Sequence, residues 1–229
     1  EIHYPGETGK GEMSMWVRVG CLAIGYLFGL FQTSYIYGKA HGIDIRNYGS
    51  GNAGTTNMMR TLGTKAGLIT FFGDCVKCML AVGLVCLLFG KSHSEMLPLL
   101  KMYAAAGTIL GHNFPFYLQF HGGKGIAATA GLVLSFDPIM SVLGIITFFG
   151  IFFTTHYVSL GSLLVYAGIM IEVLVLGQTG HFAMSQPLLC ELYVVTAFLT
   201  VMAYWKHRGN IVRLLHGEER KTYLSSSKN

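Results

Sequence analysis

Long apolar runs, separated by short polar or glycine-rich segments, are the dominant pattern along this chain. A helix needs about 20 mostly apolar residues to cross a bilayer, and a shorter one is tolerated inside a bundle. Seven spans are predicted on this basis, at residues 15–37, 67–90, 98–118, 124–136, 138–155, 158–176 and 187–205. Only Asp137 and Pro138 separate the fourth span from the fifth, so a re-entrant hairpin is an alternative for that pair.

The predicted fold class is an all-α integral membrane protein, a seven-transmembrane-helix bundle with cytoplasmic active-site loops. Residues 1–14 are expected to form an extracytoplasmic tail, residues 15–205 the membrane domain, and residues 206–229 a cytoplasmic segment that completes the site. Composition supports this division, because 52% of the 229 residues are hydrophobic and only 12% are charged. A soluble domain carries roughly 25% charged residues.

The placement of Lys and Arg predicts the orientation of the bundle. With seven spans, the larger basic set falls on the side that also holds the glycine-rich loops: Lys39, Arg46, Arg60, Lys65, Lys124, Lys206, Arg208, Arg213, Arg220, Lys221 and Lys228. The opposite side holds only Lys10, Arg18, Lys91 and Lys101. Such a bias marks cytoplasmic loops, which puts the N-terminus outside and the C-terminus in the cytoplasm. It also accounts for the net charge of +5 without nucleic acid as a partner.

The first loop on the basic side is rich in small polar residues. Residues 49–57 include three Gly, two Asn, two Thr and one Ser, which favours a turn-rich loop with many hydrogen-bond donors. Arg60 follows, and its planar guanidinium suits a phosphate. Candidate ligands here are Ser50, Asn52, Thr56, Asn57 and Arg60. An ordinary capped turn before the second span is the alternative.

A second loop, at residues 119–125, ends in Gly122-Gly123-Lys124-Gly125 at the start of the fourth span. Glycines let backbone N–H groups approach a ligand, and a helix N-terminus adds positive potential, so this segment predicts an anion site, most naturally for phosphate. The pattern is not a P-loop, because Leu118 stands where the first glycine would be and Gly125 follows the lysine. A nucleotide triphosphatase is therefore disfavoured.

Four further polar residues lie near the same side. His112 is interpreted either as a polar anchor for the loop or as a catalytic base. Ser159 either caps the sixth span or donates to a substrate. His207 and Asn210 stand three residues apart, so they share a face if the last span continues as a helix. The segment around them carries an apolar stripe and is expected to lie at the membrane surface.

Two charged residues, Asp74 and Lys77, fall inside the second span, one helical turn apart. A single charge at the bilayer centre costs about 2.5–3.5 kcal/mol on insertion scales. We therefore expect the two residues to pair inside the bundle as a structural brace. The sequence contains no HxxxxD motif and no G-x-S-x-G nucleophile elbow, so two familiar catalytic motifs for acyl transfer are absent.

With these motifs in place, the chain resembles the bacterial membrane family of acyl-phosphate:glycerol-3-phosphate acyltransferases (PlsY type). The resemblance covers about residues 15–220 and rests on Gly49-Ser50-Gly51-Asn52, Thr56-Asn57 with Arg60, Asp74 with Lys77, Gly111-His112 to Lys124-Gly125, Ser159-Leu160-Gly161, and His207 through Asn210 to Arg213-Leu214. The chain departs from the family pattern at Leu30, Gln32, Thr55 and Cys78, which affects local packing rather than the expected activity.

The resemblance implies a seven-helix enzyme of a bacterial cell membrane that moves a fatty acyl group from acyl phosphate to the sn-1 hydroxyl of glycerol 3-phosphate, giving lysophosphatidic acid and phosphate. Lys124 and the backbone of residues 122–125 would bind acyl phosphate, while Ser50, Arg60, Ser159, His207 and Asn210 would bind glycerol 3-phosphate. Further binding residues are Asn52, Thr56, Asn57 and His112. Either His207 or the departing phosphate would take the proton.

No cofactor and no metal is expected, and the partners are the two substrates, membrane lipid and a functional link to the soluble enzyme that makes acyl phosphate. A transporter of a phosphorylated solute is the alternative function. It would need polar groups through the whole thickness of the membrane, and the sequence places few there.

Overall fold

The computed structural model describes residues 6–223, with side chains from residue 15 onward. Within this range the chain is helical and has no strand. Ten α-helices follow in order: α1 Gly6–Gly29, α2 Thr33–Ala40, α3 Thr55–Leu62, α4 Thr64–Phe89, α5 Leu97–Asn113, α6 Ile126–Phe136, α7 Pro138–Thr155, α8 Val158–Gln178, α9 Gln186–Lys206 and α10 Arg208–Leu215.

Most predicted spans correspond to single helices. Over the described residues, five stretches are long and apolar enough to cross a membrane: Met15–Ala40, Thr64–Phe89, Pro138–Thr155, Val158–Gln178 and Gln186–Lys206. Helix α6 has 11 residues, which gives a length of about 16 Å, roughly half of a bilayer core. The all-helical membrane architecture is confirmed, whereas the count of seven spans stays a prediction.

Part of the predicted N-terminal tail is helical, because α1 begins at Gly6; residues 1–5 lie outside the described residues, and the extracytoplasmic position of the tail stays a prediction. The first predicted span is also not one helix. It breaks between Gly29 and Thr33, where the buried side chain of Gln32 donates to the carbonyls of Gly29, Gly111 and His112 at 3.0–3.3 Å. Gln32 therefore satisfies the open end of α1 and joins it to the end of α5.

Helices α1 and α5 pack backbone against backbone. A Cβ built on Gly25 would lie 1.9 Å from the carbonyl oxygen of Ala104, and one on Gly107 would lie 2.1 Å from that of Leu22. Glycine is thus required at both positions, because small residues let helices approach closely where lipid gives no hydrophobic drive for association.

Proline and its neighbours define where several helices begin. Pro138 starts α7, and the side chain of Asp137 accepts a hydrogen bond from the Ile139 N–H at 2.8 Å, so the cap separates α6 from α7 within one residue. Pro98 and Pro187 lie in the first turns of α5 and α9. The predicted boundary at residues 137–138 is confirmed.

Candidate active site

One cavity of about 1520 Å³ opens at the end of the bundle where α2, α5, α7 and α9 finish. All predicted site residues except Gly123 line it: Ser50, Asn52, Thr56, Asn57, Arg60, His112, Gly122, Lys124, Gly125, Ser159, His207 and Asn210. The loops that carry these residues share one cavity. The chain therefore leaves the cavity end of the bundle at the start of α4, α6 and α8 and returns to it at the end of α5, α7 and α9.

The cavity has a polar end and an apolar end. Apolar residues of α4, α6 and α7 line the second part, which runs alongside the short helix α6. Phe72, Leu134 and Phe149 line it while remaining 61%, 41% and 43% exposed, so this part opens sideways between α4 and α7. We call it the apolar groove, and the polar end the basin.

The first polar loop is held in place by Asn57. Its side-chain oxygen accepts from the Ser50 N–H at 2.9 Å, and its amide donates to the carbonyls of Ile45 and Tyr48 at 3.2 and 2.9 Å. Asn57 is 2% exposed, so its amide serves the loop and not a ligand, contrary to expectation. Ser50, Asn52 and Thr56 remain at the cavity surface.

The glycine loop also differs from its predicted form. The N–H groups of Gly122 and Gly123 donate to the carbonyls of Asn113 and His112, each at 3.2 Å, so they satisfy the C-terminal end of α5. They are not the anion donors that the sequence suggested. Gly125 has a φ of 81° and precedes α6, whose N-terminal turn has the polarity that favours an anion.

Lys124 lies at the centre of the basin. Its Nζ donates to the Oδ1 of Asn210, whose own amide donates to Glu219 at 2.8 Å; Arg213 Nε also donates to Glu219 at 2.8 Å. Burial lowers the pKa of Lys124 to about 8; Glu219 opposes this shift, and the charges of Arg213 and Lys206 add to it. The ammonium is therefore a poorly solvated cation that an anionic ligand would stabilise.

His207 follows α9 and is 2% exposed. Its Nδ1 lies 2.7 Å from the carbonyl oxygen of Ala203. A carbonyl only accepts, so Nδ1 carries the proton and Nε2 is left as an acceptor. Burial lowers the pKa of His207 to about 4, with the charge of Lys124 as the second cause. The ring is neutral at physiological pH.

Ser159 is buried in the first turn of α8, and its hydroxyl has no hydrogen-bond partner among the described residues. The capping alternative is wrong, because Tyr157 precedes α8 and no side chain caps that helix. A buried hydroxyl without a partner is costly. It lines the cavity, so a ligand atom there would satisfy it.

The C-terminal segment crosses the basin and binds Arg60. Arg60 Nη2 donates to the Thr222 hydroxyl at 2.8 Å and to the Arg220 carbonyl at 3.2 Å. The Thr222 N–H in turn donates to the His156 carbonyl at 2.9 Å. Glu219 and Thr222 were not predicted as site residues, since single polar residues in an extended tail give no periodic signal.

The wall of the cavity at α4 and α5 holds the predicted brace. Lys77 Nζ lies 2.8 Å from Asp74 Oδ1, and the two side chains are 4% and 1% exposed, which confirms the pairing inside the bundle. His112 joins them through Nδ1, 2.9 Å from Lys77 Nζ. His121, in the loop at residues 119–125, is exposed.

Comparison with known proteins gives one consistent result. A family model described as glycerol-3-phosphate acyltransferase matches residues 19–217. A glycerol-3-phosphate acyltransferase of Clostridioides difficile (strain 630) is 38% identical over 215 residues, 91% of this chain and 97% of that protein. One of Bacillus subtilis (strain 168) is 36% identical over 204 residues, 87% and 95% of the two chains.

Two crystal structures of PlsY (YgiH), an integral membrane glycerol 3-phosphate acyltransferase, are similar in fold. The glycerol 3-phosphate form aligns with a TM-score of 0.76 at 29% identity, and the lysophosphatidic acid form with 0.74 at 28%. Each alignment covers 90% of this chain and 96% of the other. The present chain is accordingly a multi-pass membrane protein.

Proposed function

The chain belongs to the glycerol-3-phosphate acyltransferase family, and on this premise we propose that it transfers a fatty acyl group from an acyl phosphate to the sn-1 hydroxyl of glycerol 3-phosphate. The products are lysophosphatidic acid and phosphate. The observation that carries this proposal is the continuity of the cavity. A basin with Lys124, Arg60 and Arg213 leads into an apolar groove beside α6, which suits a molecule with a phosphate head and a fatty tail.

The phosphate of the acyl donor binds Lys124 and the N–H groups in the first turn of α6. A buried ammonium and a helix N-terminus both favour a dianion. The acyl chain then follows the apolar groove along α6. This places the reactive carbonyl where the groove meets the basin.

Glycerol 3-phosphate occupies the rest of the basin. Arg60 uses one nitrogen for the tail and keeps further N–H donors for the phosphate of this substrate. Ser50, Ser159 and Asn210 orient the glycerol, and Asn52 and Thr56 line the same wall. The unpartnered hydroxyl of Ser159 supports this arrangement.

An acyl phosphate is already an activated anhydride, so the enzyme supplies positioning and charge stabilisation rather than a covalent intermediate. The glycerol oxygen bonds to the acyl carbon, the carbon–oxygen bond to phosphate breaks, and the hydroxyl proton ends on the released phosphate. His207 Nε2 accepts a hydrogen bond from the attacking hydroxyl and orients it. With a pKa of about 4, it is a weaker base than the released phosphate, whose pKa is about 6 by analogy with phosphoryl groups.

We further propose seven traverses of a bacterial cell membrane, with the N-terminus outside and the cavity on the cytoplasmic side. The return of α5, α7 and α9 to one end and the excess of Lys and Arg there support this orientation. The soluble enzyme that makes acyl phosphate would deliver its product at this face.

The test is donor selection by the purified protein in detergent. Palmitoyl phosphate and palmitoyl-CoA are supplied in parallel, each with glycerol 3-phosphate and, as a matched acceptor control, with glycerol. We expect lysophosphatidic acid and phosphate from palmitoyl phosphate with glycerol 3-phosphate alone. Equal or better use of palmitoyl-CoA would contradict the proposed donor, and equal use of glycerol would contradict the role given to the basin.

A further inference from the structure

Lys77 has three close polar partners deep in the bundle. Its Nζ lies 2.8 Å from Asp74 Oδ1, 2.7 Å from the carbonyl oxygen of Phe31 and 2.9 Å from His112 Nδ1. Lys77 and Asp74 are 4% and 1% exposed, and His112 is 2% exposed. A fourth partner, the carbonyl oxygen of Gly29, lies 3.4 Å from Nζ. The adjacent carboxylate and carbonyls favour the charged ammonium, whose three hydrogens can serve the three nearer partners.

This geometry determines which nitrogen of His112 carries a proton. An ammonium has no lone pair and can only donate, so Nδ1 of His112 must accept. The other candidate partner, Asp74 Oδ1, lies 3.6 Å from Nδ1, beyond hydrogen-bond distance. His112 is therefore a neutral imidazole with its proton on Nε2.

The Nε2 edge of His112 faces the glycine loop. A Cβ built on Gly123 would lie 2.2 Å from His112 Nε2 and 2.6 Å from the carbonyl oxygen of Ala53, so only glycine lets the loop approach the ring this closely. His112 is among the residues that line the cavity, and the residue after Gly123 is Lys124. The Nε2–H group is thus a fixed donor beside the lysine of the basin.

We propose that Lys77 is a positioning residue that fixes the Nε2–H tautomer of His112, so that His112 donates a hydrogen bond to the phosphate of the acyl donor. The inference rests on the proposed function, because it takes Lys124 and the first turn of α6 to hold that phosphate. It gives the buried Asp74–Lys77 pair a second role. The pair braces α4 against the end of α1, and it also sets the hydrogen-bonding character of a cavity residue on α5.

Nitrogen-15 NMR of histidine-labelled protein in detergent tests the tautomer directly, without substrate. The His112 signals are identified as those lost in His112→Gln. We expect a protonated Nε2 and an unprotonated Nδ1 in the wild-type protein. A protonated Nδ1, or an imidazolium, in the folded protein would overturn the inference whether or not palmitoyl phosphate is the donor.

Kinetics test the functional consequence through a double-mutant cycle. Lys77→Met alone would leave Asp74 charged and unpaired, which threatens folding, so Asp74→Asn and Lys77→Met are introduced together. In the protein that retains His112, we expect the two substitutions together to lower kcat/KM for palmitoyl phosphate about tenfold, while KM for glycerol 3-phosphate is unchanged. In the His112→Gln background, whose amide has no tautomer to fix, we expect less than about a twofold further loss.

A purely structural brace predicts the same loss in both backgrounds, and that result would refute the positioning role. Lys101→Met is the matched control, because Lys101 also donates to a backbone carbonyl within the bundle, that of Phe136, and does not line the cavity. Its activity should equal that of the wild type. If palmitoyl phosphate is not a donor at all, the proposed function fails, and the NMR result still decides the tautomer.

Discussion

The walls of the cavity at α5 and α9 each contribute a buried, neutral histidine, but they present opposite ring chemistry. At the α9 wall, Nδ1–H of His207 donates a hydrogen bond to the Ala203 carbonyl, which leaves Nε2 as an acceptor. At the α5 wall, the Lys77 ammonium donates to Nδ1 of His112 and leaves Nε2 as a donor. The difference follows from one partner atom: a carbonyl in the first case and an ammonium in the second.

This contrast suits the two substrates. An acceptor is needed beside a hydroxyl that must attack, and a donor is needed beside an anionic phosphate. The residue type alone therefore does not determine what a histidine does in a site. The hydrogen-bond partner of its Nδ1 does: for His207 it is the Ala203 carbonyl one turn earlier, and for His112 it is Lys77 on another helix.

Lys124 lies between the two walls, and its removal should have the largest effect. Lys124→Ala is expected to lower kcat for acyl transfer by about 10²–10³-fold, the cost of losing one preorganised donor to developing charge. Phosphate release from palmitoyl phosphate measures it. Lys65→Ala, at an exposed lysine outside the cavity, is the control and should be fully active. Near-normal activity of Lys124→Ala would remove the basin from the mechanism.

Substitutions at His207 test the role of Nε2 as a hydrogen-bond acceptor at the α9 wall. Asn can keep the hydrogen bond to Ala203 but does not reach the position of Nε2, whereas Gln brings an amide oxygen there. We expect His207→Asn to lose about tenfold more activity than His207→Gln, since orientation is worth less than the 10²–10⁴ of a true general base. A loss of 10³-fold or more in both variants would instead indicate that His207 takes the proton. Nitrogen-15 NMR should show His207 protonated at Nδ1, opposite to His112.

The pH dependence of kcat/KM separates the cation from the histidines. Burial brings the pKa of Lys124 down to about 8, so its charge is present below this pH and lost above it. We expect kcat/KM to fall by about tenfold per pH unit above pH 8, since this quantity reports the free enzyme. Lys124→Arg should remove this basic limb. A limb that persists in Lys124→Arg would have to come from another group.

Ser159→Ala should give the smallest effect, with opposite signs for activity and stability. Loss of the hydroxyl removes a contact to substrate, so kcat/KM should fall about three- to tenfold, as for one neutral hydrogen bond. The ligand-free protein should be as stable as the wild type or more so, because a buried donor without a partner is removed. Ser135→Ala is the control, since its hydroxyl bonds to the Gly131 carbonyl outside the cavity. A drop in melting temperature would show that Ser159 has a structural partner.

The sequence predicted the helices well wherever a long apolar run determined them, as for α4, α7, α8 and α9. It did not predict the break after α1, because Leu30 and Phe31 continue the apolar run and a single polar residue, Gln32, does not by itself mark a helix end. The break depends on carbonyls of α5 that Gln32 binds and on the reach of Lys77 across from α4. These contacts are tertiary, and no local propensity records them.

Residue types also predicted which loops line the cavity, since polar loops in an otherwise apolar chain are conspicuous. The hydrogen bonds within it were not. Asn57 looked like a ligand but holds a loop, and the N–H groups of Gly122 and Gly123 serve the end of α5. Whether a polar group is free for a ligand depends on what else has reached it, and sequence spacing does not report this.

The sideways opening of the groove between α4 and α7 has a kinetic consequence. A fatty substrate that enters there is drawn from a two-dimensional solvent, so its effective concentration is its mole fraction in the surrounding lipid. Diluting the membrane with inert lipid would slow the enzyme at a constant amount of acyl donor. Glycerol 3-phosphate, which reaches the basin from water, would act by its bulk concentration. The fold thus brings two substrates from two phases to the reacting carbon. The rate depends on the mole fraction of one substrate in the membrane and on the concentration of the other in water.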